Sequence, residues 1–460
     1  MDANAGIASD GDGAAEARDR GDAALRRKGT IGRGSALLFA AQLSGNAGMF
    51  VAVLIIARSL GPSGRGAMAF ITVTALVVAK IMKLGISEAT TVFTAQRPGD
   101  RAALLSNLVS YSLVGSLAGA IVVCGILLAF PGARPGDMGT TEILILLGGT
   151  VATSLWDESF LLGWQRMRAL AVRIAVAGWI YAVVVAIAWL LFGLDVPTAA
   201  AAWAIAQGLI GLMFQLAPAR EFGVVRPRPA LLREMLRFGS RAWLGSLSTL
   251  LNARFDQILM AFIATQAALG IYAVAVNASE LLLYIPSAVA AAMLPAISAA
   301  DSATAPGRAL RVLRVTMLIG VATMVVAALL GPPLLPLIFG EPFDPSVEPF
   351  LWLLPSVVGY SAMSITTSAL LAAGSPGQSS VGPAVCLLVG IGLDLVLIPA
   401  LDATGAAIAT TGAFAAGGMT GLVLYRRTAE FAWRALLPRA GDLRDVGAFA
   451  AGLVRRRRPA

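Results

Sequence analysis

The sequence predicts an all-α integral membrane protein with about twelve transmembrane helices in two six-helix lobes around a central cleft. Three observations carry that prediction. Of 460 residues, 57% are hydrophobic and only 13% charged, with a mean hydropathy of +0.79; a soluble chain carries roughly 25% charged residues. From Gly34 onward, long apolar stretches alternate with short polar breaks. Short motifs also recur between the two halves at a near-constant offset. The composition excludes a soluble enzyme with a tail anchor, a secreted disulfide scaffold and a disordered chain.

The elements follow in order. Residues 1–33 are polar, mixed in charge and without an apolar core. They lack the h-region of a signal peptide and read as a disordered cytoplasmic tail. A span needs roughly 20 residues of helix, and twelve stretches qualify: about 34–57, 67–92, 103–130, 142–163, 170–192, 197–218, 242–265, 269–294, 312–338, 347–372, 379–399 and 404–425. The first six form an N-lobe (34–218) and the last six a C-lobe (242–426). A basic cytoplasmic linker, 219–241, divides them. Residues 427–460 form a basic, amphipathic cytoplasmic tail. Its AEFAWRALL stretch (429–437) reads either as an interfacial helix pinned to anionic lipid or as an ordinary basic flank.

Lys and Arg set the orientation. With both termini inside, 29 of the 35 basic residues fall in or beside inner segments and three in outer loops: Arg58, Arg65 and Arg134. Such a bias is the positive-inside pattern, and it predicts an even number of spans with both ends cytoplasmic. It also accounts for the net charge of +9 without nucleic acid as a partner. No outer or inner loop is large enough to be a domain.

The repeat supports two lobes. GAMAF (66–70) opens span 2 and GIYAV (270–274) opens span 8, an offset of 204. LLGWQRMRALA (161–171) closes span 4 and LLAAGSPGQSS (370–380) closes span 10, an offset of 209. Six spans per repeat leave the lobes in the same membrane orientation, related by an axis along the membrane normal. Two such lobes can open a cleft to one side and then the other, which points to a transporter.

Charges within spans narrow the chemistry. The chain has no histidine, so a His-ligated metal, a Ser-His-Asp triad and a His proton relay are excluded. No catalytic residue and no metal site are expected. Cys124 and Cys386 lie in apolar runs and read as packing residues. A charge at the bilayer centre costs at least ~2.5–3.5 kcal/mol, so each demands a reason. In span 7, Arg254 and Asp256 lie ~18–21 Å from the cytoplasmic end. Ser248, Asn252 and Asp256 share a face at i, i+4 spacing and are expected to face the cleft. Arg254 then reaches round to the cleft or pairs with an acid on a neighbouring helix. Span 8 offers Asn277 and Glu280 at i, i+3, with Tyr284 and Pro286 following. An Arg254–Glu280 or Arg254–Asp256 contact would be structural; the functional alternative has Arg254 holding an anionic headgroup while an acid carries a coupling ion. Lys80 and Lys83 share a face of span 2, where Lys83 can snorkel inward. In span 1, Gln42 and Asn46 line the cleft or join helices, and Arg58 receives a phosphate or anchors the helix. Asp157 and Glu158 are expected to meet Arg166 or Arg168. Candidate ion-coupling acids are Asp256, Glu280 and Asp394, for H+ or Na+, with no other cofactor.

Three stretches carry a family resemblance. GIGLDLVLIPALDATGAAIATTGAF (390–414) resembles the span 11–12 hairpin of bacterial polysaccharide flippases, of the O-antigen type. ARSLGPSGRGAMAF (57–70) resembles that family's span 1–2 junction, and DQILMAFIATQAALGIYAVA (256–275) its span 7–8 junction, with Asp256 at the acid commonly found there. The family belongs to the multidrug/oligosaccharidyl-lipid/polysaccharide exporter superfamily. The resemblance implies the bacterial cytoplasmic membrane, two lobes in a V and an undecaprenyl-diphosphate-linked oligosaccharide as substrate. The head would cross through the cleft while the tail stays in membrane lipid, driven by a proton or sodium gradient. Cationic cleft residues would meet the diphosphate, with Arg254 and Lys80 the nearest matches. Glycosyltransferases or a polymerase of the same pathway would be partners. The alternatives are a cation-coupled multidrug exporter of the same superfamily and a membrane polysaccharide polymerase or ligase. The second lacks the large outer loop that such enzymes carry.

Overall fold

The computed structural model describes residues 10–136, 138–298, 305–437, 439 and 441–442, and all regular structure among them is helical. A chain in lipid must satisfy its backbone internally, and helices do so within one segment. The helices are α1 (Asp10–Lys83), α2 (Ile86–Gln96), α3 (Arg101–Ala129), α4 (Thr140–Leu155), α5 (Ser159–Gly163), α6 (Met167–Phe192) and α7 (Val196–Phe222). There follow α8 (Pro229–Ile263), α9 (Gln266–Ser298), α10 (Ala305–Phe339), α11 (Val347–Leu353), α12 (Ser356–Ala372), α13 (Pro376–Ser379) and α14 (Val381–Ala429).

Among the described residues, seven stretches are long and apolar enough to cross a membrane, and α11 with α12, bent by 44°, form an eighth. Two of the seven hold two expected spans each. Leu37–Lys83 breaks at Gly61 (φ 65°), and Pro376–Ala429 breaks at Asp402 (φ 48°). Past Asp402 the chain folds back, so that Cys386 packs with Ala413 and Phe414. The other two expected spans are α4–α5, broken at 156–158, and α8, whose charges dilute its hydropathy. The left-handed residues Gln165 and Gly374, at the inner ends of spans 4 and 10, are 209 residues apart. The Gly61 break lies 204 residues before Thr265, between α8 and α9.

Three segment expectations need correction. Residues 1–9 lie outside the described residues, but α1 is already helical at Asp10, where a disordered tail was expected. Its five Ala and five Arg between 10 and 33 favour helix, against five Gly and four Asp that do not. The linker reduces to 223–228; from Pro229 the chain is one helix with span 7, since Pro opens helices readily. Residues 429–437 form no amphipathic helix. After α14 the chain makes a short 3₁₀ turn at Trp433–Leu436 and docks on its own lobe, with Phe431 buried against Tyr425. Residues 443–460, with the Arg455–Arg458 cluster, lie outside the described residues.

The largest buried cluster joins the two lobes. It combines Ala52 and Ile56 of span 1 with Tyr272 and Val274 of α9 and Phe339 of α10. These residues sit toward the end where spans 1 and 2 meet, called outer here by the positive-inside expectation. The backbones nearly touch there: a Cβ on Gly66 would strike the Gln266 carbonyl, and one on Gly270 the Pro62 carbonyl. Arg58 donates from Nε to Ile338 O and from Nη2 to Leu337 O, each at 2.7 Å. Of the two readings for Arg58, the structure shows the anchoring one: its guanidinium caps the carbonyl end of a helix in the opposite lobe.

Beneath the C-lobe, Arg314 holds Asp442 at 2.7 Å, both nearly inaccessible, and also donates to Ala435 O. Its hydrogen bond keeps the Asp442 carboxyl below the usual carboxylate range. A depressed carboxyl stabilises above its unfolded pKa, and the stabilisation is lost as pH falls through the lower folded value. Arg314→Ala should therefore lower the melting temperature in detergent at pH 7, a loss on the order of 3 kcal/mol. The difference from the parent protein should shrink below about pH 4, as read by differential scanning fluorimetry.

Candidate functional site

Between the lobes lies a cavity of about 650 Å³. Its walls come from spans 1 and 2, the α4–α5 break, α6, α7, α8 and α9. They carry Arg65, Lys80, Lys83, Glu88, Asp157, Glu158 and Arg254 alongside Gln42, Asn46, Gln257 and Asn277.

Arg65 was expected in an outer loop and lies instead in the cavity wall. The Gly61 break consumes no loop, so Pro62 opens span 2 at once and Arg65 falls in its first turn. The residue is 8% exposed, its Nε is buried without a partner, and it forms no salt bridge with the described residues. A buried, unpaired guanidinium is costly, so its position in the cavity wall needs a reason. The Gly-Pro dipeptide at 61–62 was the sequence signal that could have found it.

Arg254 also lines the cavity and pairs with Glu280 across α8 and α9, with Nη1 at 2.5 Å and Nη2 at 3.3 Å. Both options foreseen for Arg254 are thus realised together. The Asn252–Asp256 stripe, by contrast, faces away from the large cavity. Asn252 donates to Pro383 O at 3.2 Å, tying span 7 to span 11. Asp256 is buried, accepts from the Tyr272 hydroxyl and the Gln257 backbone N–H, and stands near Thr410, whose hydroxyl is 3.0 Å from that of Tyr272. The roughly 200° between positions 254 and 256 sends the two charges to opposite sides of α8.

The stripe opens instead on a second space of about 20 Å³ inside the C-lobe, lined by Asn252, Asp256, Asp394 and Thr410. That is room for one water or one small cation. Asp394 Oδ1 is buried there without a partner. Two of the three acids named for ion coupling are therefore brought together, while Glu280 belongs to the large cavity's ion pair.

Both lysines are paired at the inner end. Lys80 meets Glu88 at 2.9 Å, and Glu88 also accepts from Ser246 of α8. Lys83 meets Asp157 at 2.7 Å, and Asp157 accepts from Ser87 and from the Ser159 backbone N–H. Asp157 thus pairs with Lys83 rather than with Arg166 or Arg168, because the unwound 156–158 segment faces the end of span 2; Arg166 pairs with Glu221. Gln42 donates to Asn46 at 3.0 Å, and both line the cavity with Asn277. The first half of α8 bridges to the N-lobe here. Gly85 (φ 84°) meets Gly239 backbone to backbone, and Arg97 holds Glu234 with both nitrogens. That hydrogen bond keeps Glu234 below the usual carboxylate range.

A family model described as polysaccharide biosynthesis protein matches residues 31–300. Among solved structures, lipid II flippase MurJ in an inward closed conformation is similar at a TM-score of 0.70 and 13% identity, covering 93% of each chain. A multidrug resistance MATE family transporter of the MOP superfamily, inward-facing, gives 0.63 and 16%, covering 85% of this chain and 98% of that one. A MOP superfamily transporter from Pyrococcus furiosus, described as having reversed binding-pocket polarity, gives 0.57 and 15%, covering 88% and 96%. At such identities the likeness is one of fold, and the fold is that of the MOP superfamily transporters. No curated protein matches the chain.

The two lysine pairs should differ in stability. The Asp157 side chain is 4% exposed and the Glu88 side chain 21%. Lys83→Met leaves a buried carboxylate without its cation, a loss of about 3 kcal/mol, whereas Lys80→Met should cost about 1 kcal/mol. Thermal unfolding of the two variants in detergent checks the order.

Proposed function

The chain belongs to the polysaccharide biosynthesis protein family, and from that premise we propose that it flips a lipid-linked, diphosphate-bearing oligosaccharide across the bacterial cytoplasmic membrane by alternating access. The observation that carries this reading is Arg65, an uncompensated buried cation in the wall of the inter-lobe cavity. Arg254 lines the same cavity and can exchange Glu280 for a ligand. Two guanidiniums suit a diphosphate, whose oxygens accept paired N–H bonds. A cationic drug would meet repulsion there, which favours the glycan substrate over drug export. Lys80 and Lys83 would join only by leaving Glu88 and Asp157.

Coupling is assigned to the C-lobe. The small space between Asp256 and Asp394 offers two carboxylates, an amide and a hydroxyl, all oxygen donors of the kind a proton or Na+ takes. Charge on this pair would act on Arg254 through α8, which carries both Arg254 and Asp256. The sealed outer end and the basic inner face support a cavity loaded from the cytoplasmic side. Glycan-assembling enzymes of the same pathway would supply the substrate.

Reconstitution tests the reading. Vesicles holding the protein and a fluorescent polyprenyl-diphosphate oligosaccharide should expose the head on the far leaflet. Arg65→Ala should slow that exposure by at least about tenfold, a loss of about 1.4 kcal/mol in the charge-assisted contact. Absence of transfer together with efflux of a cationic dye would overturn the proposal. Asp394→Asn should leave headgroup binding intact and abolish the response of flipping to an imposed proton or Na+ gradient.

A further inference from the structure

The break in span 4 uses nearly everything it exposes. Between Leu155 and Ser159 the helical hydrogen-bond ladder lapses, and such freed groups need partners inside a membrane. Gln215 donates to Leu155 O at 2.9 Å, and Lys83 donates to Trp156 O at 3.3 Å. The Ser159 N–H donates to Asp157 at 2.9 Å. The Asp157 side chain is fully engaged by Lys83 and Ser87.

Two side chains of the break are left over, Trp156 and Glu158. Both line the large cavity and both are exposed, Trp156 at 37%. Neither forms a side-chain hydrogen bond or ion pair among the described residues. The Trp156 ring stacks on buried Phe214, with centroids 6.3 Å apart and planes 30° from parallel. One face of the indole is therefore backed by the core, and the ring is held as a shelf at the cavity wall.

An indole face beside a carboxylate is poorly matched to either end of a lipid diphosphate. The carboxylate repels phosphate, and it resists burial against an acyl chain. The pair does match a sugar. The C–H face of a pyranose is weakly positive and lies well on the electron-rich face of an indole. The carboxylate accepts charge-assisted hydrogen bonds from ring hydroxyls. We propose that Trp156 and Glu158 form a sugar subsite that reads the glycan, taking neutral or amino sugars and turning away uronic acids. The inference rests on the reading of the cavity as the path of a lipid-linked glycan. The phosphate-facing Arg65 and the lysine-paired break stand at opposite ends of one helical run, 65 to 83, roughly 27 Å long. The cavity therefore changes sign along its length, cationic for the diphosphate and anionic for the sugar. Rejection of a uronate follows from like charge placed against it, a repulsive element that sharpens selection.

Binding titrations on the full chain in nanodiscs test the subsite with three probes. One is a bare polyprenyl diphosphate, the second carries a neutral oligosaccharide, and the third carries the same oligosaccharide with a uronic acid. The neutral glycan should bind about tenfold more tightly than the bare diphosphate. Trp156→Ala should erase that gain and leave the bare probe unchanged, with Trp156→Phe restoring part of it. Glu158→Gln, nearly isosteric and exposed, should raise the uronate-to-neutral affinity ratio by about tenfold. Equal affinity of the parent protein for bare and neutral-glycan probes would overturn the subsite, as would an unchanged ratio in Glu158→Gln. If no probe binds, the bare diphosphate included, the transport reading itself falls and the subsite with it.

Discussion

A charge inside a bilayer needs a partner, and the fold is arranged around that requirement. Lys80 and Glu88, Lys83 and Asp157, and Arg254 and Glu280 each neutralise one another across different helices. Asp256 is held by a tyrosine hydroxyl and a backbone N–H. These pairs decide which helix faces meet, because an unpaired charge buried by a wrong rotation would cost several kcal/mol. The exceptions are the residues on which the proposed function rests. Arg65, Glu158 and one oxygen of Asp394 have no partner among the described residues, and each borders one of the two cavities.

The two ends of the bundle close by different chemistry. At the outer end, Gly66 and Gly270 allow the lobes to touch through backbone, and Arg58 adds hydrogen bonds between them. At the inner end, Gly85 and Gly239 form a similar contact, while Arg97–Glu234 and Arg228–Asp100 are exposed ion pairs. Exposed pairs contribute little and weaken with salt. The outer seal also adjoins the large apolar cluster, and the inner bridge runs through α8 into the N-lobe.

Much of the fold was legible in the sequence because hydropathy is a local property. Each apolar run lies on helix, and the turns at Gly61, at 264–265, at Gln165 and at Gly374 fall where the repeated motifs placed them. Facing is not local. The Ser248–Asn252–Asp256 stripe was correctly read as one face, but only the packing of span 11 shows that it turns inward to its own lobe. The Arg254–Glu280 pair was accessible from depth alone, since both residues sit at similar heights. Arg65 was missed because a loop was assumed where Gly61 and Pro62 make a break without one. Trp156 and Glu158 were visible as residues, but their availability depends on partners drawn from spans 2 and 6 to their neighbours.

The cap that Arg58 places on Leu337 and Ile338 bears on more than closure. Those carbonyls end a helix and have no intrahelical donors. Any state in which the lobes part at that end must supply them with water, and the guanidinium must be rehydrated as well. Opening therefore takes up solvent in a countable way, with several waters bound for each cap released. The balance between sealed and open outer faces is thus tied to water activity, and solutes excluded from the protein surface would weigh it toward the sealed form.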